Sequence, residues 1–156
     1  MRIRILCVGE NRVSYFLEGE ADYLKRLKHY SRVEIQWVRS EKIVGSRSTD
    51  EILSVEGERL MNKIPPDSTL VALDRRGKGL TSEGLASMNL KWQNRSIKEV
   101  VFLIGGPLGL SNTLLSRADV VLSLSKMTFT HEMVRLILLE QLYRSFTILR
   151  GEKYHK

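Results

Sequence analysis

"EVVFLIGGPLGLS", residues 99–111, decides the fold. Its first part, 99–106, is a continuous apolar run ending on Gly105 and Gly106. A strand that is apolar on both faces belongs in the middle of a parallel sheet covered on both sides. The run passes through a glycine-rich turn into a short helix over 110–118, with Ser111 as its N-cap. Strand, tight turn and helix start in quick succession form the repeating unit of an open α/β sheet.

Working outward, the same alternation continues. Downstream lies "DVVLSLS" (119–125), the last strand, then "LSLSKMTFTH" (122–131) and a long helix over 131–149. Upstream, "STLVALD" (68–74) is a short apolar strand. "RRGKGL" then turns the chain into a helix over 81–94, capped by Thr81 or Ser82. "TDEILSVEGERLMNKI" (49–64) is a helix with Thr49 or Asp50 as N-cap, stopped by "IPPD". "SEKIVGSRS" (40–48) is a polar, mobile loop, and "RVEIQWVR" (32–39) is a half-exposed strand. "YFLEGEADYLKRLKHY" (15–30) carries Phe16, Leu17, Ala21, Leu24 and Leu27 at helical spacing, and "RIRILCVG" (2–9) is the first strand. This order implies an α/β fold, a parallel-type sheet with helices on both faces. No repeat or composition break divides residues 1–156, so the chain reads as one domain.

Composition narrows the function. Cys7 is the single cysteine, which excludes a disulfide scaffold and any zinc site built on several cysteines. No apolar run is long enough to span a bilayer, and "MRIRILCVGE" is too soon polar for a signal peptide; the reading is a cytoplasmic protein. The net charge is +7, with clusters at Lys25, Arg26 and Lys28, at Arg75, Arg76 and Lys78, and through the last third. Single clusters suit solvated helix faces, but together they favour a polyanionic partner such as RNA or DNA.

Two features stand out. The last helix carries Met133, Val134, Leu136, Ile137, Leu138, Leu139, Leu142, Tyr143 and Phe146, apolar almost all the way round. Such a helix is enclosed, and one small sheet covers one side, so a second subunit is the simplest cover for the other. Gly77, Gly79, Gly105, Gly106 and Gly109 gather at the C-terminal ends of strands, where ligands sit in open α/β sheets.

Several segments are candidates for chemistry. The glycines of 103–111 have neither GxGxxG nor Walker A spacing, so a phosphate cradle is disfavoured. Backbone close to a ligand and a plain tight turn remain equally open. Asp74 either holds a ribose hydroxyl or closes a turn, and the turn is favoured. His131 has the ordinary pKa of a general base, ~6.5, yet alone a structural role at the helix start is favoured. The tail "RGEKYHK" (150–156) holds Tyr154 and His155, groups that stack on or hydrogen-bond to a base, although most tails are idle. No His or Cys spacing suggests a metal. A catalytic protein and a non-catalytic RNA-binding or nucleotide-binding α/β module both fit these patterns.

"IGGPLGLS", "LSLSKMTFTHEMVRLILLEQLYRSFTI" and the closing "RGEKYHK" resemble the RlmH family, small SPOUT-class methyltransferases. The resemblance runs from "ILCVGE" through "YLKRL", "EGERL" and "LDRRGK" to the last residue. It implies a C-terminal trefoil knot and a homodimer, neither of which the patterns above reveal. It also implies S-adenosylmethionine as cofactor and N3 of a pseudouridine in large-subunit ribosomal RNA as target, on the assembled ribosome. By matching motifs, the cofactor site would include Leu73, Gly105, Gly106, Leu124, Ser125, Lys126, Met127, Thr128 and Phe129. Tyr154, His155 and Lys156, from the same or the other subunit, would cover the base, with His131 and Arg135 supporting them as catalytic residues. This chain departs from relatives at Leu108, where a polar or acidic residue is common, and at Thr130, where many have proline. It also ends on Lys156 where some have arginine, keeping the charge and losing the fork.

Overall fold

The computed structural model describes residues 1–43, 45 and 47–155. Lys156 and two residues of the 40–48 loop, Val44 and Ser46, lie outside the described residues. The strands are β1 (Arg2–Val8), β2 (Arg32–Val38), β3 (Thr69–Gly79), β4 (Glu99–Ile104) and β5 (Val120–Ser123). The helices are α1 (Ser14–Leu27), α2 (Thr49–Met61), α3 (Ser82–Asn94), α4 (Asn112–Arg117) and α5 (His131–Leu149). All strand pairs are parallel, in the order β2-β1-β4-β3-β5.

β4 lies at the centre, as its two-faced apolarity requires. Phe102 registers with Ile5 of β1 and with Val71 of β3. Val100, Phe102 and Ile104 face a core completed by Leu27 of α1, Leu85 and Trp92 of α3, and Leu138, Leu139 and Leu142 of α5. Val101 and Leu103 face the opposite core with Leu60 of α2, Leu110, and Leu114 of α4. The period-two alternation of a strand sends successive residues to these two cores.

Helix starts follow side-chain caps. Thr81, Ser111 and Thr130 cap α3, α4 and α5, accepting from the backbone N–H of Gly84, Leu114 and Met133. Thr130 sits at φ −65°, a value proline would also take. α2 departs from the sequence reading: its N-cap is Ser48, neither Thr49 nor Asp50. Ser48 Oγ accepts from Glu51 N–H at 3.2 Å and the Glu51 carboxylate accepts from Ser48 N–H at 2.9 Å. This reciprocal pair satisfies two otherwise orphaned donors, which a cap at Thr49 would not.

Two further readings need correction. "RRGKG" does not turn the chain; β3 runs on through it to Gly79. Both Leu73 and Lys78 pair with Leu122 of β5, so the intervening residues bulge out of the ladder. Gly77 permits this, since a Cβ there would stand 2.6 Å from the Val121 carbonyl oxygen. In α1, Leu17 and Ala21 face solvent, and the buried face is formed by Phe16, Glu20 and Leu27. Glu20 is tolerated there because Asn11 Nδ2 donates to it at 2.8 Å.

One side of α5 is covered by its own chain. It lies between α1 and α3 over the sheet, with Leu138, Leu139, Leu142, Ser145 and Thr147 fully buried. α1 approaches it closely at Gly19, where a Cβ would meet Leu136 at 2.9 Å. On its other side Met133 is 38% exposed and Val134, Leu136 and Ile137 are only half-buried.

Candidate active site

The glycine-rich turn after β4 explains itself locally. A Cβ on Gly105 would fall 2.2 Å from the Gly109 carbonyl oxygen, and Gly109 has φ +87°. Gly109 N–H donates to the Gly106 carbonyl at 2.9 Å, closing the turn. Gly105 and Gly109 are thus fixed by the turn. Gly106 faces outward from it, toward Val8 Cγ1 at 3.1 Å and Glu56 Oε2 at 3.5 Å from its Cβ position.

This turn forms one wall of a cavity of about 1240 Å³ at the C-terminal ends of β3, β4 and β5. The segment after β5 forms the facing wall. Its shape is set by serines: Ser123 Oγ donates to the Ser125 carbonyl at 2.9 Å, and Ser125 Oγ accepts from Met127 N–H at 3.0 Å. Of the residues predicted to hold a cofactor, Leu73, Gly105, Gly106, Leu124, Ser125, Met127, Thr128 and Phe129 line this cavity. Lys126 is exposed and lies outside the lining. Met127 is 71 % exposed, a large apolar side chain held open at the rim.

Asp74 also lines the cavity, but its carboxylate is spoken for. Arg76 reaches it through Nε at 2.8 Å and Nη2 at 3.0 Å, and Arg76 N–H donates at 2.8 Å. The bonds from Arg76 hold the Asp74 carboxyl below the usual carboxylate range. Asp74 closes the bulge in β3, which stands in place of the turn read from the sequence.

His131 sits at the mouth, with Nε2 3.0 Å from Glu132 Oε1. Burial pushes its pKa down, the nearby Glu132 carboxylate opposes this, and Arg135 adds to it. The ring is therefore held toward its neutral form.

The remaining predicted residues lie elsewhere in the protomer. Arg135 is 1 % exposed and lines no cavity wall. Its Nη2 donates to the Gly9 carbonyl at 2.5 Å and the Val8 carbonyl at 3.3 Å, while Nε finds no acceptor among the described residues. It ties the end of β1 to α5. Tyr154 and His155 are also apart from the cavity. The chain reverses at Gly151 (φ +65°) and returns along α5. Tyr154 donates to Glu140 Oε1 at 3.1 Å, lies 3.2 Å from the Tyr23 hydroxyl, and has the Arg144 guanidinium 4.8 Å over its ring. His155 Nε2 is 2.7 Å from Glu83 Oε1. Lys156, the third predicted tail residue, is outside the described residues.

Two elements of the site escaped the sequence reading. α2 supplies a whole side of the cavity through Leu53, Ser54 and Gly57. Glu56, on its buried face and only 4 % exposed, points toward Gly106. The signal was available: Glu56 falls midway between Ile52 and Leu60 at helical spacing, an acid on an apolar stripe.

Among the described residues no cluster of His, Cys, Asp or Glu could hold a metal ion, and no helix is long and apolar enough to cross a membrane. Cys7 is buried, and burial pushes its thiol up to about 12, so it is no nucleophile.

Comparison with known proteins gives a consistent picture. The family described as "Predicted SPOUT methyltransferase" matches residues 1–155. A protein of Desulfotalea psychrophila named ribosomal RNA large subunit methyltransferase H is 51% identical over 156 residues, covering 100% of both chains. One of the same name from Halothermothrix orenii is 46% identical over 159 residues, again covering 100% of both. Among solved structures, a probable methyltransferase from Bordetella pertussis superposes with TM-score 0.58 at 11% identity, covering 93% of this chain and 96% of that one. A probable methylase family protein from Haemophilus influenzae gives TM-score 0.56 at 14% identity, covering 99% and 70%. At such identities these two structures speak for the fold alone.

Proposed function

The chain belongs to the SPOUT methyltransferase family, and from that premise we propose that it is a large-subunit ribosomal RNA methyltransferase using S-adenosylmethionine. Its target is N3 of a pseudouridine on the assembled ribosome. The observation that carries this reading is full-length identity of 51% to a ribosomal RNA large subunit methyltransferase H, supported by a cavity that the glycine turn after β4 and the segment after β5 both line.

The residues present fit the cofactor. A nucleoside with an amino-acid tail needs an apolar slot, backbone polar groups and few charges. Leu73, Leu124 and Phe129 supply apolar wall, and the glycine turn exposes backbone without a phosphate-binding pattern. The sulfonium of S-adenosylmethionine supplies an activated methyl group, so the protein has to align and deprotonate. Alignment is worth ~7–11 kcal/mol and a positioned base roughly 3–5 kcal/mol. Positioning is the larger share, which suits walls fixed by backbone turns and serine bonds. His131, held toward neutrality, keeps positive charge away from the entering base.

The protein works as a homodimer with its C-terminal part knotted. In support of the knot, the chain passes from β4 to β5 beyond β3, and α5 then returns to lie over the sheet between α1 and α3. In support of the dimer, Tyr154 and His155 pack away from the cavity of their own chain, so a role over the target needs the tail of a second copy. The excess of basic residues suits a ribosomal surface, and affinity falls as salt rises. A ribosomal substrate goes with a cytoplasmic location.

The test is transfer of a labelled methyl group to ribosomes and to free large subunits from cells lacking the protein. Label mapped to N3 of a large-subunit pseudouridine supports the reading. Label on another base, or none, overturns it.

A further inference from the structure

We propose that Glu56 is a catalytic residue, the group that takes the proton from the target nitrogen, and that the small cavity it lines receives the target base. This rests on the methyltransferase reading above.

A second cavity of about 330 Å³ opens at the C-terminal ends of β1 and β2. Pro107, Leu108 and His131 line it and the larger cavity alike, so the two adjoin. Its volume is at the low end for ligand sites and suits a single ring with its sugar at the mouth. Val8, Gly9 and Ile52 give it flat apolar wall, and Glu56 is its buried charge. A pyrimidine-type base has that chemistry: an apolar face, and one N–H edge that needs an acceptor.

Glu56 is placed to be that acceptor. Oε1 accepts from Glu41 N–H at 2.8 Å, which fixes the carboxylate. Oε2 lies 3.5 Å from where a Cβ on Gly106 would stand, at the turn shared with the larger cavity. Competing carboxylates are engaged. Asp74 is held by Arg76, Glu41 by Arg47 and Arg59, Glu132 by His131, and Glu10 pairs with Arg12 at the surface. The charged groups facing Glu56 are Arg59 from its own helix, Glu41 from the segment after β2, Glu10 and Arg12 after β1, and His131 from α5. Burial raises the Glu56 pKa against the hydrogen bond from Glu41 N–H and the pull of Arg59, which makes it a stronger base than an exposed carboxylate.

In the step, the N3–H bond breaks and its electron pair forms the bond to the transferred methyl. The proton passes to Glu56 Oε2, the donor leaves as the neutral thioether, and the carboxylic acid then returns its proton to water.

Glu56→Gln tests this, because the amide oxygen still accepts from Glu41 N–H while the side chain cannot take a proton. Methyl transfer to ribosomes falls about 10²–10⁴-fold and loses its acid limb, with calorimetric affinity for S-adenosylhomocysteine unchanged. Infrared titration of the protein alone finds a carboxyl band, absent from the variant, that titrates above the ordinary glutamate value of about 4.3. Wild-type-like transfer by the variant, lost S-adenosylhomocysteine binding, or a band titrating at or below the ordinary value overturns the assignment of Glu56 while leaving the function standing. If the wild-type protein itself transfers nothing, the functional reading falls and this inference with it.

Discussion

The two ends of α5 are unlike. Its first turn carries His131 at the mouth of the cavity and, one turn on, Arg135 pinning the end of β1. Its last turns carry Tyr143, Arg144 and the returning tail, an aromatic and ionic cluster closed on itself. Sequence motifs place both ends in one site. The structure keeps them apart within a protomer, which teaches that residues of one motif need not share a cavity of their own chain.

The sharpest way to break this contrast is at the cavity end. Gly106→Val adds a branched side chain where a Cβ already meets Val8 at 3.1 Å. Overpacking of this kind costs roughly 1–3 kcal/mol, or about 5–150-fold in affinity when it falls on the bound state. Calorimetry should find S-adenosylhomocysteine affinity reduced within that range or lost. At the tail end, deletion of residues 154–156 should leave that affinity intact and slow ribosome methylation about 10²-fold, the scale of a misplaced reactant. Equal loss of cofactor affinity in the deletion would merge the two regions again.

Arg135→Met removes the donor that Val8 and Gly9 carbonyls share. Leaving such buried acceptors unpaired costs about 1–3 kcal/mol, read as a lower urea midpoint, and the cavity's affinity should fall with it because the β1 end loosens. A midpoint unchanged from wild type would contradict the pinning role.

The smallest effect concerns pH. His131 has its pKa lowered in the folded chain by burial. The unfolded chain then binds the proton first as pH falls below about 6.5, so stability declines with falling pH. His131→Gln should flatten that part of the urea-midpoint profile between about pH 7 and pH 5. A wild-type profile that rises on acidification would reverse the sign and refute the burial argument.

Much of this was legible in the sequence because it is local. The run 99–106 is apolar on both faces and could only be central, and Thr81 and Ser111 announce their helices by hydroxyls next to apolar stripes. What was not legible depends on distant partners. The bulge over 74–77 exists because Val121 and Leu122 lie against it, and Ser48 outcompetes Thr49 as a cap because Glu51 reaches back. The family resemblance puts Arg135 among the site residues. One helical turn and the Gly9 carbonyl take it into the interior instead. Glu56 was passed over because an acid within "EGERL" reads as helix surface until Ile52 and Leu60 are seen to share its face.

The central claim is that the cavity of one copy is completed by the tail of another. Coexpression of two differently tagged chains tests it directly, one carrying Gly106→Val and the other lacking residues 154–156. Mixed dimers purified through both tags should methylate ribosomes at about half the wild-type rate, since the intact cavity of the shortened chain meets the intact tail of its partner. If each parent is inactive and the mixed dimer is inactive too, the tail does not act across the dimer and the account is wrong.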